Sequence, residues 1–191
     1  MIEELVTSTV AIFVVMDALG NVPIFSVLNR GFSKKQKEEN INRAVLIATI
    51  VLLVFLFLGN MLLNFFGIRL SSFKVAGGLL LSIIGMEVAL GLKYGRHEKE
   101  KQELAIVPMG TPLITGPGVI TAILILVGTY GYWVPLIAAV LNLLFTFLLL
   151  RNSETFLRIF GKQGADVISR IMGIIIVAIA VEFIRQGWAT I

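Results

Sequence analysis

The feature that most constrains this chain is the stretch from Ala44 to Phe66, which holds no charged residue. About 20 mostly apolar residues are enough to cross the hydrocarbon core of a bilayer as a helix. Comparable runs recur along the chain, and the candidate spans are 4–29, 40–66, 70–92, 104–128, 132–151 and 165–187. The last is the least clean, with Arg170 near its start and Glu182 and Arg185 near its end. Lipid offers no partner to a backbone N–H or C=O, so only helices and closed barrels span it. Barrel strands alternate polar with apolar residues, and these runs do not. The expected fold is therefore an all-α membrane protein of six transmembrane helices, a single domain over 1–191.

Composition narrows the alternatives. Hydrophobic residues make up 57% of the chain and charged residues 15%, against about 45–50% and about 25% in soluble domains. A soluble fold of this size would leave a large apolar surface in water, and disorder requires the opposite composition. The absence of cysteine removes disulfides, thiolate metal sites and thiol redox chemistry. A net charge of +4 raises the question of nucleic acid, but the basic residues sit in short gaps between apolar runs, where they act as orientation signals. No nucleic-acid partner is expected. The chain opens Met1-Ile2-Glu3-Glu4 without the basic start of a signal peptide, so its first apolar stretch is expected to be retained.

Of the 16 Lys and Arg residues, 12 fall in three gaps. Arg30, Lys34, Lys35, Lys37 and Arg43 follow span one; Lys93, Arg96, Lys99 and Lys101 follow span three; Arg151, Arg158 and Lys162 follow span five. Basic loops stay in the cytoplasm. The expectation is a multi-pass protein of the cell membrane with both termini outside.

Sliding the chain against itself by 96 residues, half its length, aligns the two halves without a gap. Gly20 falls on Gly116, Ile24 on Ile120, Lys74 on Arg170, Gly77 on Gly173 and Gly91 on Gly187. Spans one to three superpose in order on spans four to six. Three spans is an odd number, so the second half (96–191) enters the bilayer upside down relative to the first (1–95). That arrangement, an inverted-topology repeat, is one from which many secondary transporters are built, with the site near the midplane.

The opening span of each half carries a break signal. Span one reads Asp17-Ala18-Leu19-Gly20-Asn21-Val22-Pro23, and span four reads Thr111-Pro112-Leu113-Ile114-Thr115-Gly116-Pro117-Gly118. Proline removes a backbone donor, glycine loosens the backbone, and the residue before proline (Val22, Thr111, Gly116) is pushed away from helical angles. Helices 1 and 4 are thus expected to be broken near the midplane. Second halves would begin there with free N–H groups and positive dipole ends, and first halves would end there with free carbonyls. Paired ends of opposite sign suit a zwitterion with a small uncharged side chain.

Asp17 is the only carboxylate near the middle of a span, and an acid at that depth is a candidate proton carrier or ion ligand. It has a structural alternative: capping the half-helix at Gly20-Asn21, or pairing with Lys74 or Arg170. Asn21 can cap or contact substrate. Thr111, Thr115 and Thr121 offer hydroxyls for substrate or for neighbouring helices. No metal-binding motif is present and no cofactor is expected.

At these two clusters the chain resembles the MarC family of multi-pass membrane proteins. The matching residues are Asp17 to Phe25, then Phe66-Gly67-Ile68 with Ala76-Gly77-Gly78-Leu79-Leu80, then Val107-Pro108 through Pro112 and Gly116-Pro117-Gly118-Val119-Ile120. Where the family usually has a proline after the aspartate, Ala18 stands here. Characterised relatives of the SnatA type carry small neutral amino acids. The resemblance implies proton-driven movement of glycine and alanine, with substrate contacts at Gly20, Asn21, Pro23, Gly116, Pro117 and Gly118; Thr115 joins them as a neighbouring hydroxyl.

The leading expectation is a secondary transporter coupled to protons or sodium, working by alternating access of two repeats. A channel or an exporter of another small solute is the alternative. There is no GxxxxGK[ST] loop for ATP, and no HExxH or GxSxG pattern, so enzymatic activity is not expected.

Overall fold

The computed structural model of the protein describes residues 2–29, 31–91 and 114–190. The described residues are helical apart from short turns. The helices are α1 (Ile2–Met16), α2 (Ala18–Leu28), α3 (Lys34–Phe65), α4 (Leu70–Leu90), α5 (Pro117–Tyr130), α6 (Trp133–Arg151) and α7 (Ser153–Trp188). Among the described residues five stretches are long and apolar enough to cross a membrane: Ile2–Ser26 (α1 with most of α2), α3, α4, α6 and α7. They match the expected spans one, two, three, five and six. At 14 residues α5 is shorter than a span. The expected fourth span begins at 104, and its part up to 113, with Thr111 and Pro112, lies outside the described residues, as does the expected basic gap with Lys93, Arg96, Lys99 and Lys101.

Local chemistry sets several helix ends. Ser33 starts α3 with a reciprocal capping box: its Oγ accepts from the Gln36 N–H at 3.4 Å, and its own N–H donates to Gln36 Oε1 at 2.9 Å. Gly91 ends α4 in the left-handed conformation, at φ 67°. Gly161, at φ 67° and ψ 174°, interrupts α7, so the stretch Ser153–Phe160 is a separate helical segment leading into the span. The hydropathy pattern places the start of span six at 165, after a basic gap. The helix begins earlier because Phe156, Leu157 and Phe160 recur at helical spacing, and the first two pack on the core.

The α3–α6 pair is antiparallel. Lys37 Nζ lies 2.8 Å from Glu154 Oε1, and Arg151 Nη2 lies 3.9 Å from Glu38 Oε1, so the start of α3 meets the end of α6 and the start of α7. At the far end of the same pair the Phe57 and Tyr132 rings stack. The basic gaps after spans one and five therefore share one end of the molecule. Between α4 and α7 the contact is antiparallel and close. Gly187 faces Ser71 and Lys74, Gly78 faces Ala180 and Ile184, Gly85 faces Gly173 and Val177, and Gly91 faces the Arg170 guanidinium. Small residues permit that approach where apolar burial between helices gives no drive in lipid.

At the centre lies α5, buried along Gly118–Val127 except for the half-buried Ile120 and touching α1, α3, α4 and α6. A helix buried on all sides is apolar on all sides. The outer helices reverse the soluble pattern: Leu46, Ile50, Val54, Phe57, Leu58 and Met61 of α3 all face outward. Such a belt requires lipid around it.

Candidate functional site

The break in span one falls at Asp17, the first residue of the expected cluster, rather than at its proline. Asp17 takes φ 42°, a left-handed conformation in an L-residue, and separates α1 from α2. Its N–H reaches back to the carbonyls of Phe13 and Val14, each at 3.2 Å. Its carboxylate has two donors. Oδ1 accepts the N–H of Gly20 at 3.2 Å, which is an N-cap on α2. Oδ2 accepts the hydroxyl of Ser169, on α7, at 2.6 Å.

Gly20 lies under this pair. A Cβ there would collide with Asp17 Oδ2 and Ser169 Oγ, so glycine is what allows the carboxylate to reach across to α7. Asn21 folds back over the break and donates from Nδ2 to the Met16 carbonyl at 3.1 Å, closing the end of α1. Pro23 is buried within α2, and Val22 before it remains helical. There the helix keeps its path and gives up only the bond that an N–H at position 23 would make to Leu19.

On the other side, Gly116 (φ −71°, ψ 175°) precedes α5, with Pro117 as its first residue. Proline pre-sets the angle of a first helical turn and has no N–H to leave bare. Among the described residues no side chain caps this end, so the N–H groups of Gly118 and Val119 form its positive pole. Gly118 is buried against Val15, Leu81 and Ile84, where a Cβ would lie 3.1–3.3 Å from their methyl carbons. The start of α5 thus packs on the last turn of α1, beside the Asp17 break. Thr115 is buried and donates to the Ala48 carbonyl of α3 at 3.2 Å.

Two expectations need correction. Asp17 pairs with neither Lys74 nor Arg170. Lys74 Nζ is 3.1 Å from Gln186 Oε1, and Arg170 lies over Gly91 at the end of α4. A hydroxyl partner satisfies a carboxylate in the packed interior without bringing in a second charge. Nor are all the helix ends at the break bare: Asp17 covers the start of α2 and Asn21 the end of α1. Unpaired groups are costly in lipid, so the residues of the break satisfy them. Ser169 is the functional neighbour that no sequence pattern points to, whereas Asn21 caps as expected but at the end of α1. Asn142 bonds across helices, from Nδ2 to the Thr9 carbonyl at 3.1 Å.

An open groove of about 610 Å³ runs from Thr115 and Pro117 between α3, α4 and α5, lined by Val51, Phe55, Phe73 and Leu124 among others. Its lining suits an aliphatic group and not a charge. Among the described residues no three of His, Asp and Glu gather as a metal ion would require.

A helical chain with apolar outer faces, close glycine seams and its polar bonds directed inward is a multi-pass integral membrane protein. The profile of the MarC family of integral membrane proteins matches residues 2–191, and the chain belongs to that family. It is 36% identical over 193 residues to a UPF0056 membrane protein of Archaeoglobus fulgidus, covering 95% of this chain and 91% of that one. It is 35% identical over 188 residues to a UPF0056 membrane protein of Methanocaldococcus jannaschii, with 93% and 92% covered. The UPF0056 inner membrane protein YhgN of Escherichia coli is 32% identical over 190 residues, with 96% and 95% covered. No solved structure matches the chain.

Proposed function

We propose that the protein is a secondary transporter of small neutral amino acids, glycine and alanine foremost, in the cell membrane, and not an enzyme. The observation that carries this reading is the meeting of a helix break at Asp17 with the start of α5 at Gly116–Gly118, which no described side chain caps. The substrate carboxylate would take the N–H groups of Gly118 and Val119, where two partial donors and a dipole favour an anion. Its ammonium would compete with Asn21 for the Met16 carbonyl and lie near the Asp17 carboxylate. Gly20, Pro23, Thr115, Gly116 and Pro117 are the proposed walls, and their glycines let backbone approach a small substrate closely.

Asp17 is the proposed coupling group, carrying a proton between the two faces, with sodium as the other ion its oxygens could take. Proton uptake would weaken its hold on Gly20 and Ser169 and free the hinge. Alternating access is proposed as rocking of two inverted repeats, 1–95 and 96–191. The antiparallel α4–α7 seam supports it. Lys74 lies against Gly187 and Arg170 against Gly91, and the offset of 96 maps the first pair onto the second. A twofold axis in the membrane plane produces such reciprocity. Both termini would then lie outside, with the basic end in the cytoplasm.

The test is uptake of labelled glycine and alanine into proteoliposomes with an imposed pH or sodium gradient. Accumulation above equilibrium that collapses with the gradient supports coupling. Equilibration without saturation or counterflow would identify a channel instead.

A further inference from the structure

The segment Ser153–Phe160 is not used by the transport reading. It follows α6 at the basic end of the molecule and is set off from the span by the non-helical Gly161. At 100° per residue, Phe156, Leu157, Ile159 and Phe160 lie on one arc with the buried Ser153, and Glu154, Thr155 and Arg158 on the other. Leu157 and Phe156 pack on the core, whereas Ile159 is 71% and Phe160 50% exposed. Orientation of the chain needs only charge in this gap, so an outward-facing pair of large apolar residues asks for a further reason.

The surroundings supply one. Lys37 bonds to Glu154, and Lys34 and Arg158 lie close enough to act on the same carboxylate. Three cations thus gather at one acid, with Lys35 and Lys162 exposed nearby. Phe32, at the turn into α3, is exposed as well. An apolar strip beside excess positive charge, at the level where spans emerge, is the pattern of a helix lying in the membrane interface. Juxtamembrane lysines and arginines there attract anionic headgroups.

We infer that Ser153–Phe160, together with the first helical turn of α3 (Lys34–Lys37), is an interfacial foot that selects anionic phospholipids, with Ile159 and Phe160 seated among acyl chains and Arg158, Lys162, Lys34 and Lys35 on headgroup phosphates. The inference does not depend on what the protein transports.

The two native tryptophans, Trp133 and Trp188, stand at the opposite end of their spans, which allows a local probe. The full chain carrying Trp133→Phe, Trp188→Phe and Phe160→Trp is reconstituted into phosphatidylcholine vesicles. Brominated phosphatidylglycerol or brominated phosphatidylcholine is added at equal mole fraction, and indole quenching is read. Quenching by the anionic lipid should exceed that by the zwitterionic lipid about twofold or more, and should fall to parity at high salt. Replacing Lys34, Lys35, Arg158 and Lys162 by Gln should abolish the preference; the salt series tests the same point without relying on that variant's folding. Equal quenching by both lipids at low salt would overturn the selectivity, and no quenching by either would overturn the interfacial placement. Loss of the preference on adding millimolar inorganic phosphate, but not an equal ionic strength of chloride, would assign the cations to a free anion and contradict the lipid.

Discussion

Asp17 combines a strained backbone with a fully employed side chain. A left-handed conformation costs an ordinary L-residue about 1–2 kcal/mol, and the N-cap to Gly20 with the Ser169 bond offsets it. Asparagine accepts that conformation and caps as well as aspartate. Asp17→Asn should therefore fold with a small change in melting temperature, yet lose gradient-driven accumulation in proteoliposomes, because it carries no exchangeable charge. Gly20→Ala acts on the same group by crowding. Its Cβ must displace the carboxylate or Ser169, and the expected loss is about 1–3 kcal/mol of stability, read by thermal unfolding in detergent. That Asp17 mattered was legible from its depth in an apolar run. Its partner was not, because Ser169 lies 152 positions away and no local spacing connects them. Gly20 was singled out as a break residue, whereas its role is to make room for the carboxylate.

Among elements, the α4–α7 seam brings glycines of both helices against the facing backbone. A side chain at Gly173 would run into the backbone of Ala89 and the Gly85 carbonyl, whereas one at Gly164 meets only Phe160 Cβ, at 3.3 Å. Gly173→Leu should lower the melting temperature markedly, by an overpacking cost of about 1–3 kcal/mol. Gly164→Ala should be neutral or gain about 0.5–1 kcal/mol from helix propensity; the two are compared in one thermal series. Element positions were the most legible level: Leu70–Leu90 and Trp133–Arg151 lie within two residues of the expected ends, since apolar length alone defines a span. The break was harder to place. Proline and glycine mark where a helix can yield, but Pro23 stays inside α2 and the yielding occurs at Asp17, where α7 offers a hydrogen-bond donor. The helical start of α7 was hidden by the charges around it.

For the whole molecule, a basic end, the glycine-lined α4–α7 seam and the contact of the Asp17 break with the start of α5 belong to one account. The charge distribution predicts the topology. In a chain without cysteine, Lys35→Cys and Arg158→Cys should react with an impermeant maleimide only after the cytoplasmic side is opened. Ile68→Cys and Tyr132→Cys should react in intact cells. The central claim is that the meeting of the Asp17 break with the start of α5 is where an amino acid binds. Its most direct test is substrate protection of single cysteines, Ala18→Cys and Gly116→Cys, in membranes labelled with and without alanine or glycine. The account predicts that either amino acid slows labelling at both positions in a saturable way and leaves Ile68→Cys unaffected. Labelling at both sites that stays unchanged at substrate concentrations supporting uptake would contradict it.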